Sequence, residues 1–274
     1  MRLVGLMIAL TALLSTTAAA DSCRAVSSPY TVALIELYTS QGCSSCPPAD
    51  DWLSRLPIQH TSLKAIPLAL HVGYWDYIGW KDPFAKREFN DRQRRLVGRW
   101  GRAYTPEVFV GGSELADWDW PDTFRATLKA VNARPAQANI ELQARWIGAA
   151  AGSDPPQRLG VQVRWSADAS ARDPQLLLAV KRSGYMTDVR AGENSGSRLR
   201  NDHVVRAWHG PFAPQHQPLV TEISVPADTG DATLVAIAQD GASGAVLQAL
   251  ELGLGSCEAR ADLAAPGRAR TSPQ

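Results

Sequence analysis

Two thiols three residues apart, Cys43 and Cys46 in G-C-S-S-C-P-P, are the side chains of this 274-residue chain best suited to chemistry. At that spacing one thiolate can attack a substrate disulfide, and the second can resolve the mixed disulfide that forms. The pair follows an apolar run, Thr31 to Tyr38, that reads as a buried strand, and it precedes Trp52, Leu53 and Leu56 at helical intervals. Strand, short loop and helix bring both sulfurs to one helix N-terminus, where unpaired N–H groups and the positive end of the dipole favour a thiolate. In that setting C-x-x-C reads as a redox pair rather than half a metal site. Two other uses stay open. A structural disulfide would only staple the turn, and Cu(I) needs only two or three soft ligands. Zinc wants a second pair of ligands, and the sequence contains no second C-x-x-C and no H-x-x-x-H.

Other residues could assist. Glu36 lies in the strand seven residues before Cys43. An acid buried beneath a dithiol can relay the proton that resolution requires; at a sheet edge the same carboxylate would simply reach solvent. Trp75, Tyr77, Trp80, Trp118 and Trp120 could line a substrate groove near the thiols or pack as a lid. His71, at the end of a second apolar run, reads as a core histidine, and His203, His209 and His216 show no metal-ligand spacing.

The elements that must position these residues follow in order. Leu63 to Val72 reads as a second buried strand, and Asp82-Pro83 as a helix N-cap with proline at the first helical position. That helix should reach about Trp100, with Phe89, Leu96, Val97 and Trp100 inward and a solvated basic face of Lys86, Arg87, Arg92, Arg94, Arg95 and Arg99. Thr105-Pro106 leads into a strand over 107–110, a Gly111-Gly112 hairpin turn and a partner strand near 114–116. Pro121 opens a helix with Phe124, Leu128 and Val131 on one face. The order β-α-β-α-β-β-α predicts an α/β unit with a mixed central sheet and flanking helices. Beyond Pro135 come alternating runs at 139–146, 158–165, 175–182, 203–208, 219–225, 232–239 and 245–252, which predict an all-β sandwich.

Residues 1–20 carry Arg2, an apolar stretch and Ala18-Ala19-Ala20, the pattern of a secretory signal peptide too short for a membrane span. No later segment approaches 18 uninterrupted apolar residues, so no stable membrane span is expected. A net charge of +1 leaves no electrostatic footprint for nucleic acid. Export implies an oxidising compartment, periplasmic or extracellular, in which disulfides persist. Four cysteines allow three pairings. With Cys43 and Cys46 forming a local pair, Cys23 and Cys257 remain for a second bond, unless both are free thiols. The expected organisation is a signal peptide over 1–20, an α/β domain over 21–134, a β-sandwich over 135–258 and a disordered tail over 259–274.

The C-x-x-C at a strand-to-helix junction, followed by Thr-Pro before a later strand, resembles the thioredoxin fold. More closely, L-Y-T-S-Q-G-C-S-S-C-P-P-A-D, H-V-G-Y-W-D-Y-I-G-W-K-D-P-F-A, R-Q and Y-T-P resemble the DUF1223-type group of secreted, thioredoxin-like bacterial proteins of unknown function. The similarity spans residues 30–133 and continues through E-N-S-G-S-R-L-R-N-D-H-V-V-R, Glu193 to Arg206. It implies a thioredoxin-like first domain, with Pro106 cis and packed beside the disulfide, and with Pro106 and the Thr105 backbone docking a substrate chain. Trp75 and Tyr77 are the aromatic candidates for substrate contact. The expected activity is thiol–disulfide exchange, Cys43 attacking and Cys46 resolving, with a protein substrate, a redox partner and no cofactor. Two departures stand out: Gly73 replaces the family's usual aspartate, and Pro47-Pro48 follow Cys46 directly. A residue before proline avoids the α region, so Cys46 should fall outside a helix that begins near Pro47.

Overall fold

The strands β2 (Ala33–Thr39) and β3 (Ala65–His71) are buried at every position and lie parallel, in register from Ala33↔Ala65 to Thr39↔His71. Strands of this kind need cover on both faces. On one face Ala33, Ile35, Leu37 and Ala69 pack against α1 (Pro47–Ser54) and α3 (Pro121–Asn132). On the other, Leu34, Tyr38, Ile66 and Leu68 meet Phe89 of α2 (Arg87–Val97). β4 (Glu107–Val110) pairs antiparallel with β2, and β5 (Ser113–Glu114) pairs with β4. The computed structural model describes residues 23–56, 62–99, 101–147, 157–226, 228, 231–255 and 257. The expected signal peptide, the expected tail and residues 148–156 lie outside the described residues.

The sheet does not stop at β3. β11 (Val204–Phe212) lies parallel beside it, with Val204 opposite Ala69 and the Ala69 N–H donating to the His203 carbonyl at 2.9 Å. β8 (Pro174–Arg182), β13 (Thr233–Asp240) and β14 (Val246–Gly253) continue antiparallel, giving eight strands in the order β14-β13-β8-β11-β3-β2-β4-β5. A second sheet, β1 (Arg24–Val26), β6 (Ala138–Ile147), β7 (Gln157–Ala167) and β12 (Leu219–Val225), is antiparallel throughout. Its Ile140, Leu142, Val161, Val163 and Ile223 pack against Leu176, Leu178, Val180, Leu234 and Ala236 of the large sheet. β9 (Tyr185–Asp188) and β10 (Arg198–Asn201) form a separate hairpin.

The expected fold, a thioredoxin-like α/β domain with flanking helices followed by an all-β sandwich, is corrected here. The described residues are 44% strand and 16% helix, with three α-helices, and the large sheet draws strands from both halves of the chain. The physical reason is an edge. β3 has β2 on one side only, and the backbone groups on its other side are taken by β11 rather than by solvent. Side-chain alternation tells which faces a strand buries and is silent about its lateral neighbour.

Two local expectations also change. The helix after Asp82-Pro83 begins at Arg87: Asp82 Oδ1 accepts the Phe84 N–H at 2.9 Å and closes a turn, but the chain is extended at Lys86 before the helix starts. Arg92, expected on a solvated face, is buried.

Candidate functional site

α1 begins at Pro47, as the Pro-Pro step requires, and Cys46 is its N-cap. Contrary to expectation, Cys46 has α-helical angles (φ −79°, ψ −38°). Its carbonyl accepts the N–H groups of Ala49 at 2.9 Å and Asp50 at 3.1 Å, which hold it in the helical conformation despite the following proline. Cys43 and Cys46 are joined in a disulfide with Cα atoms 5.5 Å apart, and both residues are fully buried. Ser44 and Ser45 between them are exposed. Gly42 sits in close quarters: a Cβ there would meet the Trp75 Cβ at 3.2 Å, a tight contact.

The expected partners gather unevenly around this bond. The Thr105 carbonyl lies 3.8 Å from Cys43 Sγ, and the Thr105–Pro106 peptide is cis. Trp75 joins the group by donating Nε1–H to Thr105 Oγ1 at 2.7 Å. Tyr77 stands apart, 82% exposed on the 3-10 turn Asp76–Ile78. Glu36 is not brought to the disulfide. It alternates with Leu34 and Tyr38 toward α2, on the face opposite α1, where Arg92 grips it through Nε at 2.5 Å and Nη2 at 3.0 Å. Cys23 and Cys257 form the second disulfide.

Sequence reasoning missed the groups that hold the C-x-x-C loop. Asn194 Nδ2 donates to the carbonyls of Gln41 and Cys43, both at 2.9 Å, and Glu193 Oε2 accepts the Ser44 N–H at 2.9 Å. Gln41 is itself clamped, donating to Thr187 Oγ1 at 3.0 Å and Asn201 Oδ1 at 2.7 Å, and accepting from Trp80 Nε1 at 3.1 Å. The β9–β10 hairpin and its connecting loop therefore fasten down the loop that carries the disulfide. The only signal in the sequence was the E-N-S-G-S-R motif, which carried no physical role by itself.

Also missed was a buried charge cluster behind the loop. Asp82 Oδ2 accepts from the Gln41 N–H at 2.8 Å and lies 2.7 Å from His71 Nδ1. Burial opposes the charged form of both groups, yet their pairing wins: His71 is held above its ordinary range and Asp82 below. Asp50 has no such pairing. Burial pushes its carboxyl up to about 7, against a downward pull from His71 and Thr39. Burial likewise raises Glu107 to about 7, although Gln93 bonds to its carboxylate.

These directions set a pH dependence. A carboxyl whose folded pKa exceeds its unfolded value binds an extra proton when folded, so stability falls as pH rises between the two values. Asp50 and Glu107 place that window between about 4 and about 7. His71, also raised, contributes stability that is lost as pH climbs through its folded value. Asp82 acts in the opposite sense, with stability lost only as pH falls into the acid range. The urea midpoint is expected to decline from pH 5 to pH 8; a midpoint that rises over that interval would contradict these assignments.

Among the described residues no group of three or more His, Cys, Asp or Glu is placed to hold a metal ion, and no helix is long and apolar enough to cross a membrane.

Against known proteins, a family model described as a protein of unknown function, DUF1223, matches residues 34–239. The crystal structure of a structural-genomics target from Agrobacterium tumefaciens is 21% identical with a TM-score of 0.54, covering 90% of this chain and 100% of that one. HBP35 of Porphyromonas gingivalis is 13% identical with a TM-score of 0.62, covering 90% of this chain and 83% of that one. At such identities both show a similar fold and nothing of activity. No curated protein matches.

Proposed function

We propose that this chain, which belongs to the DUF1223 family of proteins of unknown function, exchanges disulfides with a protein substrate through Cys43 and Cys46. The observation that carries this reading is the disulfide bond between them at the N-terminus of α1, with the Thr105 carbonyl beside Cys43 Sγ. A helix N-terminus favours a thiolate once the bond is open. In the reducing direction the Cys43 thiolate attacks one sulfur of a substrate disulfide, and the other substrate sulfur leaves as a thiolate. Cys46 then loses its proton and attacks Cys43 Sγ. The mixed disulfide breaks, the first substrate sulfur departs, and two electrons have passed to the substrate. The oxidising direction is the reverse, and either needs a second thiol–disulfide partner to restore the pair.

An extended substrate chain would dock against the Thr105–Pro106 backbone, with Trp75 beside it. The signal-like residues 1–20 support action in an exported, oxidising compartment.

The test is the reduction potential of the Cys43–Cys46 pair in the intact protein, read by alkylation and mass spectrometry in a thiol redox buffer. Exchange predicts a value between roughly −120 and −270 mV, the span of known exchange proteins. A value below about −300 mV would make the bond a structural staple and end this reading.

A further inference from the structure

Beneath the first turn of α1 lies a polar cluster that the exchange steps above leave without a role. Cys46, Asp50 and Leu53 stand at i, i+4 and i+7 on one helix face, and all three are buried. Asp50 is only 7% exposed. That face rests on the ends of β2 and β3, where Thr39 and His71 are register partners. Thr39 follows Ile35 and Leu37, and His71 follows Ala69, at two-residue steps. Both side chains therefore point to the face on which Ala49 and Leu53 pack.

Thr39 and His71 are 0% and 1% exposed; the Thr39 hydroxyl favours the charged form of Asp50, and His71 Nε2 has no hydrogen-bond partner. A buried polar atom left unpaired is costly, and one on the histidine that faces a sealed carboxyl calls for an explanation. The other His71 nitrogen meets Asp82, which also holds the Gln41 N–H in the loop leading to Cys43. The cluster is thus tied to the C-x-x-C loop at both ends: the Asp50 N–H donates to the Cys46 carbonyl at 3.1 Å, and Asp82 accepts the Gln41 N–H.

The geometry points to Asp50, positioned by Thr39 and the His71–Asp82 pair, as the group that takes the Cys46 proton when the disulfide closes and returns it when the disulfide opens. This assignment rests on the exchange reading above. On closure the Cys46 S–H passes its proton to the Asp50 carboxylate, the new thiolate attacks Cys43 Sγ, and the bond from Cys43 to the substrate sulfur breaks. The departing substrate thiolate takes a proton from water. On opening, an external thiolate attacks Cys43 Sγ, Cys46 leaves with the electron pair, and Asp50 protonates it. The raised Asp50 pKa, near neutrality, suits a group that must hold and release a proton there.

The charged and polar groups facing Asp50 are Thr39 and His71 from the strands, Asp82 from the segment after β3, and Asp51 from its own helix. Arg206 of β11 faces His71. Asp202, held by Arg200, reaches Ser54 at the far end of α1.

The test uses the full chain with its cysteines 13C-labelled at Cβ and the Cys43–Cys46 pair reduced. The Cys46 resonance is expected to titrate in two coupled steps. In Asp50→Asn it should titrate in one, at lower pH, because a neighbouring negative charge is gone. Resolution of a mixed disulfide formed on Cys43 should slow about a hundredfold at pH 7 in the same variant. Thr39→Val keeps the acid but removes a hydroxyl that favours its charged form, so the Asp50 step should move to higher pH.

Asp51→Asn removes an exposed acid of the same turn that pairs with Arg55; because its charge raises Asp50, the Asp50 step should move slightly to lower pH, while both coupled steps and the resolution rate persist. A two-step curve that survives in Asp50→Asn, or an Asp51→Asn variant that reproduces the effect, overturns the assignment. The titration needs no turnover. A potential outside the exchange range, found together with a coupled Cys46 titration, would therefore overturn the exchange reading alone.

Discussion

Replacing Arg92 by methionine is expected to lower stability by about 3–5 kcal/mol, because it leaves a buried carboxylate without its cation. Arg92 is 2% exposed and Glu36 wholly buried. The guanidinium holds Glu36 through two nitrogens, donates Nη1–H to Gln239 Oε1 at 2.9 Å, and sits 4.9 Å from the Trp208 ring. Burial disfavours its charge, but the Glu36 carboxylate outweighs that effect and holds Arg92 above its ordinary range. Its partners come from β2, β13 and β11, so one side chain ties α2 to strands from both halves of the chain. The double variant Glu36→Leu/Arg92→Met should recover most of the loss, since a buried pair exchanged for apolar residues of similar volume is often neutral. Urea denaturation of both variants checks this. A single variant that loses less than about 1 kcal/mol would show that Glu36 finds other compensation.

The second large effect is expected from Cys23→Ser/Cys257→Ser. The bond joins residues 234 positions apart. The loop-closure entropy that it removes from the unfolded chain corresponds to roughly 5 kcal/mol, an upper value that residual unfolded structure reduces. In the folded state Cys257 is buried against the core between the two sheets, and the Cys23 carbonyl accepts the Ala144 N–H at 3.0 Å. A loss of about 2–5 kcal/mol in denaturant unfolding, with an unchanged Cys43–Cys46 potential, is the expected outcome. A shifted potential would mean that the two disulfides are energetically coupled, contrary to their separate packing.

Local structure was largely legible in the residues. The apolar run at Thr31–Tyr38, the proline-capped start of α1 and the alternating runs after Pro135 all carry their own periodicity, and each corresponds to an observed element. The pairing of Cys23 with Cys257 followed from the local claim of Cys43 on Cys46. Lateral neighbours were not legible. Within the large sheet the two halves meet at one register pair, Val204 with Ala69, set by a strand edge rather than by any pattern within either strand.

The acid beneath the dithiol was misplaced for a related reason. A strand buried on both faces shows no alternation to say which side receives the helix, so Glu36 could not be assigned to α1 or to α2 from its own stretch. Asp50 was in view all along, four residues after Cys46 on the same helix face. Recognising it required the strand ends bearing Thr39 and His71, which only the fold supplies.

The Cys23–Cys257 bond has a consequence for how this protein can come apart. Residues 23 to 257 form one covalent ring around the whole folded region. A single backbone cut anywhere between those cysteines leaves the two pieces attached, whether it falls in an exposed loop such as that near Gly192 or in a strand. One cut therefore releases no fragment; release takes a second cut or reduction of this sulfur–sulfur bond.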